Sequence, residues 1–307
     1  MHSLKEMARC VHTGMRSFLL GANIASMPLL SRPKHAYLYW NACLFLRGSM
    51  GKQMLHKRNV SEVFPDLLTD AKLNFPELDQ AWKWEDPSYL ADLVHLGLLC
   101  AAVRPLTVFE IGTSTGYSSL FLAANSPPEA QIWTLDLLTG DSKTTTSLTA
   151  RDRDIAKWCH KVEPCFAGHT LGRRIHRLYG DSANFDFSPY SRAIDLFFID
   201  GAHTYEYVRT DTLNALYCCH SGSVIAWHDF GRAGLSRGVT KWLKQLNQVV
   251  KVYTTPGSSV AFMSCDFDCE AIASKLGAPA FTSQRSDEAG LSDADPASIK
   301  TDLVRKL

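Results

Sequence analysis

Net charge is nearly absent from this sequence: 32 Lys and Arg stand against 31 Asp and Glu, a formal +1 in 307 residues. A surplus of one sign is what draws a protein to nucleic acid or anionic lipid, so composition gives no general attraction to either. Also missing is the run of about 20 apolar residues that a bilayer-spanning helix needs; the apolar stretch Ser17 to Leu30 is broken by Asn23, Ser26 and Pro28. There is no cysteine framework. The nine cysteines are odd in number and form no Cys-x-x-Cys pair, which in a chain of this size predicts reduced thiols. Cys159, His160 and Cys165 lack a second ligand pair at zinc-finger spacing. No internal repeat, RNA-recognition signature or Asn-Pro-Pro-Tyr motif of amino methylation occurs. With 46% hydrophobic and 21% charged residues, collagen-like, coiled-coil and wholly disordered chains are excluded.

What is present is unevenly distributed. Up to Val60 there are nine Lys or Arg and one acid, Glu6, leaving 23 basic and 30 acidic residues beyond it. Residues 1–87 read as a basic, helical appendage. A cytoplasmic location is expected, with an organellar one as the alternative if the acid-poor start is a transit peptide. From Ser88 to Val103 the apolar residues recur at helical spacing until Arg104-Pro105 ends the run. Short apolar runs follow at Leu106 to Ile111, Gln131 to Asp136, Arg174 to Tyr179, Ile194 to Asp200 and Ser223 to His228, most of them separated by helical stretches. Alternating strands and helices require crossovers, hence a mainly parallel sheet covered on both faces. Val249 to Thr254 and Ser259 to Ser264 sit too close for a crossover and should pair antiparallel around Pro256-Gly257. The fold class is α/β: a Rossmann-like, doubly wound, mainly parallel seven-stranded sheet with an antiparallel terminal strand, spanning residues 88–265. Residues 266–307 read as a polar, flexible tail, and Leu138 to Arg173, with helix-like Ile155 to Val162, as a substrate lid.

Glu110-Ile111-Gly112-Thr113-Ser114-Thr115-Gly116-Tyr117 lies between a buried strand and the apolar helix Ser118 to Ala124. Glycine lets the backbone turn sharply and approach a ligand, and the helix start offers N–H groups to polar ligand atoms. A dinucleotide turn reads Gly-x-Gly-x-x-Gly, whereas this one is Gly112-x-x-x-Gly116 and lacks the glycine that makes room for pyrophosphate. Glu110 repels phosphate and suits an ammonium, so adenosylmethionine fits this turn better than NAD. Asp136 ends the next strand, where a carboxylate can accept both ribose hydroxyls or simply cap a turn. Gly180-Asp181-Ser182 ends the third strand and can place Asp181 near adenine.

These residues, and above all the run Glu110 to Ser119, resemble the class I S-adenosylmethionine-dependent methyltransferases, in particular the metal-dependent O-methyltransferases related to catechol and caffeoyl-coenzyme A enzymes. The resemblance covers about Ala91 to Ser264. It implies that Glu110, Gly112, Thr113, Ser114, Gly116 and Tyr117 shape the cofactor site around the methionine moiety, that Asp136 holds the ribose and that Asp181 meets adenine. It further implies a divalent metal, Mg2+ or another cation, at Asp200, His228 and Asp229; the imidazole at 228 departs from the family's acids and suits a metal other than magnesium. His203, three residues after Asp200, falls where the relatives carry a proton-abstracting base, although a lone histidine there can also be structural. Trp227 is a candidate pocket wall, Tyr205 and Tyr207 fit core packing, and Asp195 reads as a turn residue. The expected activity is O-methylation of a sugar or phenolic hydroxyl on a small-molecule acceptor, with nucleic acid disfavoured and a homo-oligomer left open. The alternatives are an NAD-dependent oxidoreductase and a silent scaffold that keeps the fold.

Overall fold

The computed structural model describes residues 55–65, 72–76, 87–137, 144–159, 163–232, 236–255 and 257–278. In chain order these carry β1 (His56–Lys57), α1 (Val60–Val63), α2 (Pro87–Val103), β2 (Thr107–Ile111), α3 (Tyr117–Asn125), β3 (Gln131–Asp136), α4 (Ala150–Cys159), β4 (Ile175–Tyr179), β5 (Ile194–Ile199), α5 (Tyr205–Cys218), β6 (Cys219–Trp227), α6 (Arg237–Leu246), β7 (Tyr253–Thr254), β8 (Ala261–Ser264) and α7 (Cys269–Lys275). The strands form one sheet in the order β1-β7-β8-β6-β5-β2-β3-β4. From β6 through β4 all neighbours are parallel, while β8 runs antiparallel to both β6 and β7.

The consecutive apolar residues of the central strands follow from burial on two faces. Val108, Leu196, Phe198, Val224 and Ala226 pack toward Leu93, Leu96, Leu120 and Phe121 of α2 and α3. Phe109, Phe197, Ile199, Ile225 and Trp227 pack toward Val208, Leu216, Trp242 and Leu243 of α5 and α6. A fully buried side chain of this kind contributes about 1.5–3 kcal/mol. Such a two-sided sheet fixes the positions of its strand ends.

The structure adds to and corrects the sequence reading at its margins. Among the described residues the sheet has eight strands, because His56–Lys57, expected within a helical appendage, pairs parallel to β7, and Leu55 and Val60 are buried. The strand expected over Val249 to Thr254 is confined to Tyr253–Thr254, since Val249 and Val250 close the end of α6 by bonding Leu246 O. Residues 269–275, assigned to the tail, form α7 instead, capped by Asp268 and burying Cys269, Ile272 and Ala273. The helix expected over Ile155 to Val162 runs over Ala150–Cys159; residues 1–54 and 279–307 lie outside the described residues. Among the described residues no helix is long and apolar enough to cross a membrane, and the described cysteines, Cys100, Cys165, Cys218, Cys219, Cys265 and Cys269, are free.

Candidate active site

Five strand ends meet at one pocket. The turn after β2 touches the turn after β5 so closely that only glycine fits: Gly112 has φ +103°, and a Cβ there would lie 2.1 Å from Asp200 O. Backbone bonds continue past the strands, from Gly112 N to Leu135 O and from Asp200 N to Ile111 O, each 2.8 Å, and from His228 N to Ile199 O at 3.0 Å. Gly112, Ser114, Asp136, Asp181, Asp200, His203, His228 and Asp229 all line the resulting cavity.

Four residues assigned to the cofactor stand behind that wall. Glu110 is fully buried, bonded by Ser119 Oγ and by Thr134 Oγ1 at 2.6 Å, with Thr134 in turn 2.8 Å from Thr113 Oγ1. Burial pushes its carboxyl up to about 7, against the hydroxyls that favour the charged form. Gly116, at φ +78°, starts α3 and is covered by the Phe166 ring, 2.5 Å from where a Cβ would stand. Tyr117 is buried in the core beneath α2 and α3. Glu110, Thr113, Gly116 and Tyr117 therefore do not line the cavity: Glu110 faces the layer of α2 and α3 from β2, and Phe166 and Pro164 cover the second glycine.

Asp136 accepts the Leu137 N–H at 3.1 Å and lies 3.7 Å from Arg177 Nη2. Asp181 is more heavily engaged, accepting Thr145 N at 2.6 Å, Ala183 N at 3.0 Å and the Tyr207 hydroxyl at 2.9 Å. Burial opposes its charge, yet these donors hold it below the usual carboxylate range. Tyr207 is thus a pocket residue as well as a buried one. Trp227 is not a wall of this pocket but a core residue, its N–H bonding Thr212 Oγ1 at 3.0 Å. Asp195 belongs to β5 rather than to a turn, and its carboxylate accepts Leu106 N, Thr107 N and Thr107 Oγ1 within 3.0 Å.

The chemical centre is a chain of alternating carboxylates and imidazoles. His203 Nδ1 is 2.6 Å from Asp152 Oδ1, Nε2 is 2.7 Å from Asp229 Oδ2, and its backbone N–H reaches Asp152 Oδ2 at 3.2 Å. Burial disfavours the imidazolium, but the two carboxylates outweigh it and raise His203 to about 10. His228 is 7% exposed, with Nδ1 2.9 Å from Asp200 Oδ1 and 3.4 Å from Asp229 Oδ1, and Nε2 2.9 Å from Asp92 Oδ2. Burial again opposes the charge, and the three acids raise it well above its ordinary value. Asp229 takes the left-handed conformation, φ 63°, which is costly outside glycine and concentrates at functional sites. Arg232 ties the end of the cluster to Asp229 at 3.0 Å and to Asp92 at 3.0 Å.

Asp200, His203 and Asp229 each bring one ligand atom within 4.8 Å of the others. Asp229 is buried and its Oδ1 accepts no well-aligned hydrogen bond, although Arg232 Nε lies 3.0 Å away. Carboxylate oxygens with one or two imidazoles fit a divalent first-row cation. Sequence reasoning missed Asp92, Asp152 and Arg232. Asp92 carries a legible signal, because it shares the buried stripe of α2 with Leu96 and Leu99, where an unpaired charge would be too costly. Asp152 carries none, since it sits in a charged helix that only the tertiary fold brings to the pocket.

The sheet order, with its antiparallel β8, and the glycine turn joined to an acid after each following strand define the class: a Rossmann-like, doubly wound α/β fold. Residues 109–230 match the family model described as a methyltransferase domain, which meets the expectation of a methyltransferase drawn from the glycine turn. The fold is similar to solved structures at low identity. These include the O-methyltransferase TomG from Streptomyces achromogenes in complex with SAM, involved in tomaymycin synthesis, at 17% identity over 73% of this chain and 94% of that one, TM-score 0.40. The SAH-bound methyltransferase PaMTH1 from Podospora anserina is 15% identical over 78% and 96%, TM-score 0.42. An O-methyltransferase from Bacillus cereus in complex with SAH is 18% identical over 73% and 96%, TM-score 0.39. No curated protein matches the sequence.

Proposed function

We propose that this protein transfers the methyl group of S-adenosylmethionine to a hydroxyl of a small molecule, a sugar or a phenol, in the pocket at the carboxyl edge of the sheet. The observation that carries the reading is that a glycine turn excluding any side chain, the carboxylate Asp136 and the acid-imidazole cluster open into one cavity. Asp136, at the end of β3, is placed to accept the ribose hydroxyls. Asp181 serves the adenine end chiefly by shaping it, because its oxygens already hold the lid backbone and Tyr207.

Asp152 fixes the His203 ring through Nδ1, and Asp229 Oδ2 lies on Nε2; the two carboxylates favour the imidazolium, so Nε2 takes the acceptor hydroxyl proton only after it has given up its own, with Asp229 drawn away from it. Asp200 and Asp229, with His228 Nδ1, are the residues that would hold a divalent cation. A cation held by these residues would supply Lewis-acid chemistry, lowering the hydroxyl pKa and orienting the acceptor. Alignment of oxygen, methyl carbon and sulfur supplies much of the remaining rate enhancement.

Incubation of the protein with methyl-labelled S-adenosylmethionine and a metabolite extract tests this directly. The expected outcome is a labelled small-molecule product, lost with chelator and restored by one particular ion. His203→Ala should lower turnover by about 10²–10⁴ while cofactor binding persists. Absence of labelled product under every metal condition would contradict the reading.

A further inference from the structure

We propose that Asp92 is a positioning residue for the metal centre: it fixes His228 so that Nδ1 faces the Asp200 and Asp229 carboxylates and makes the site selective for cations that accept imidazole nitrogen. The inference rests on the metal reading above. Asp92 lies in α2, far outside the strand-end loops, and is 1% exposed. Its two oxygens have separate tasks. Oδ1 accepts Ser258 Oγ at 2.7 Å and Ser259 N at 2.6 Å, which anchors the carboxylate to the loop before β8. Oδ2 faces the site, where it accepts His228 Nε2 at 2.9 Å, Arg232 Nη2 at 3.0 Å and Ser259 Oγ at 2.7 Å.

A carboxylate on the outer ring nitrogen fixes the tautomer and orientation of a metal-binding histidine. With Nε2–H donated to Asp92, Nδ1, 2.9 Å from Asp200 and 3.4 Å from Asp229, is the nitrogen that a cation would take by displacing the proton it shares with those carboxylates. Tyr89, also on α2, meets the imidazole edge-on at 6.0 Å and 87°, so α2 grips the ring from two sides. Imidazole suits manganese, iron and zinc better than magnesium, which prefers oxygen. Asp92 therefore sets which cation the centre takes as well as how tightly.

The test is equilibrium binding of Mn2+ and Mg2+ to the full chain, with S-adenosylmethionine affinity and thermal unfolding measured on the same samples. The wild type should prefer Mn2+, and Asp92→Asn should weaken Mn2+ binding by about 10–100-fold, the loss typical of such partners, with a smaller effect on Mg2+. In the His228→Gln background Asp92→Asn should cost nothing further, because its effect runs through that ring. Ser258→Ala, which removes a donor from the anchoring oxygen, should leave the preference for Mn2+ intact. An equal loss with and without His228, or no loss in either, would overturn the role of Asp92 while leaving the metal reading standing. A wild type that binds neither ion would overturn both.

Discussion

Two residues, Asp211 in the core and Gly112 at the pocket wall, show what the architecture costs. Asp211 on α5 is fully buried, and neither oxygen has a well-formed hydrogen bond. Burial first, and Asp181 nearby, push its carboxyl up to about 7. A carboxyl raised in this way gives its full contribution to stability below its ordinary value of 3.8, and that contribution is lost as pH rises through 7. Asp211→Asn keeps the shape without the charge, so its stability relative to wild type should rise between pH 4 and pH 8, reaching about 1–3 kcal/mol at the upper end. Thermal unfolding across that range checks it; a difference independent of pH would count against an uncompensated charge. Gly112→Ala acts in the opposite direction. A methyl group 2.1 Å from Asp200 O at φ +103° must displace the β5 turn, at a cost of about 1–3 kcal/mol in strain alone. Both the melting temperature and cofactor affinity should fall. The need for glycine at 112 was legible in the sequence as a strand-turn-helix motif, whereas the isolation of Asp211 was not, because helical periodicity does not reveal which neighbours lack donors.

Whole elements reach the chemistry through close backbone contact. α6 meets the loop that carries His203 at Gly238, where a Cβ would be 2.3 Å from His203 O and 2.4 Å from Tyr205 N. Gly238→Ala should therefore shift His203 from Asp152 and Asp229, reducing turnover more than cofactor affinity; steady-state kinetics beside a binding titration separates the two. Strands β2 to β5 were readable within one residue at most ends, because burial on both faces leaves an unbroken apolar signal, as in Phe197, Phe198 and Ile199. The pocket lining was readable where it lies at those strand ends, at Asp136, Asp200, His203, His228 and Asp229. It was not readable where other elements supply partners. Asp152 comes from α4 and Asp92 from α2, separated from their histidines by 51 and 136 residues. Glu110 stands behind the cavity wall because alternation along β2 turns its side chain toward the helix layer, and Tyr117, the first residue of α3, packs into the core on that same side.

At the scale of the molecule, the sheet gathers carboxylates and imidazoles from distant parts of the chain at the carboxyl ends of its parallel strands, and the short β1 forms the lateral edge opposite β4. Residues 55–60 add His56 N and Arg58 N to Val252 O and Thr254 O at 3.0 and 3.2 Å and bury Val60 against the α2 and β8 side of the core. Val60→Asp should lower stability by about 3 kcal/mol or more, since it buries an unpaired charge 1% exposed at the native position. Thermal unfolding reads that loss directly, and an unchanged midpoint would show that this segment is not part of the stable fold. The central claim, that the hollow beside Gly112 receives an adenosylated sulfonium, is tested most directly by equilibrium dialysis of the full chain against S-adenosylmethionine and against NAD. Saturable, stoichiometric binding of S-adenosylmethionine that is lost in Gly112→Ala, with no binding of NAD, is the expected result. Binding of NAD in its place, or of neither ligand, would contradict it.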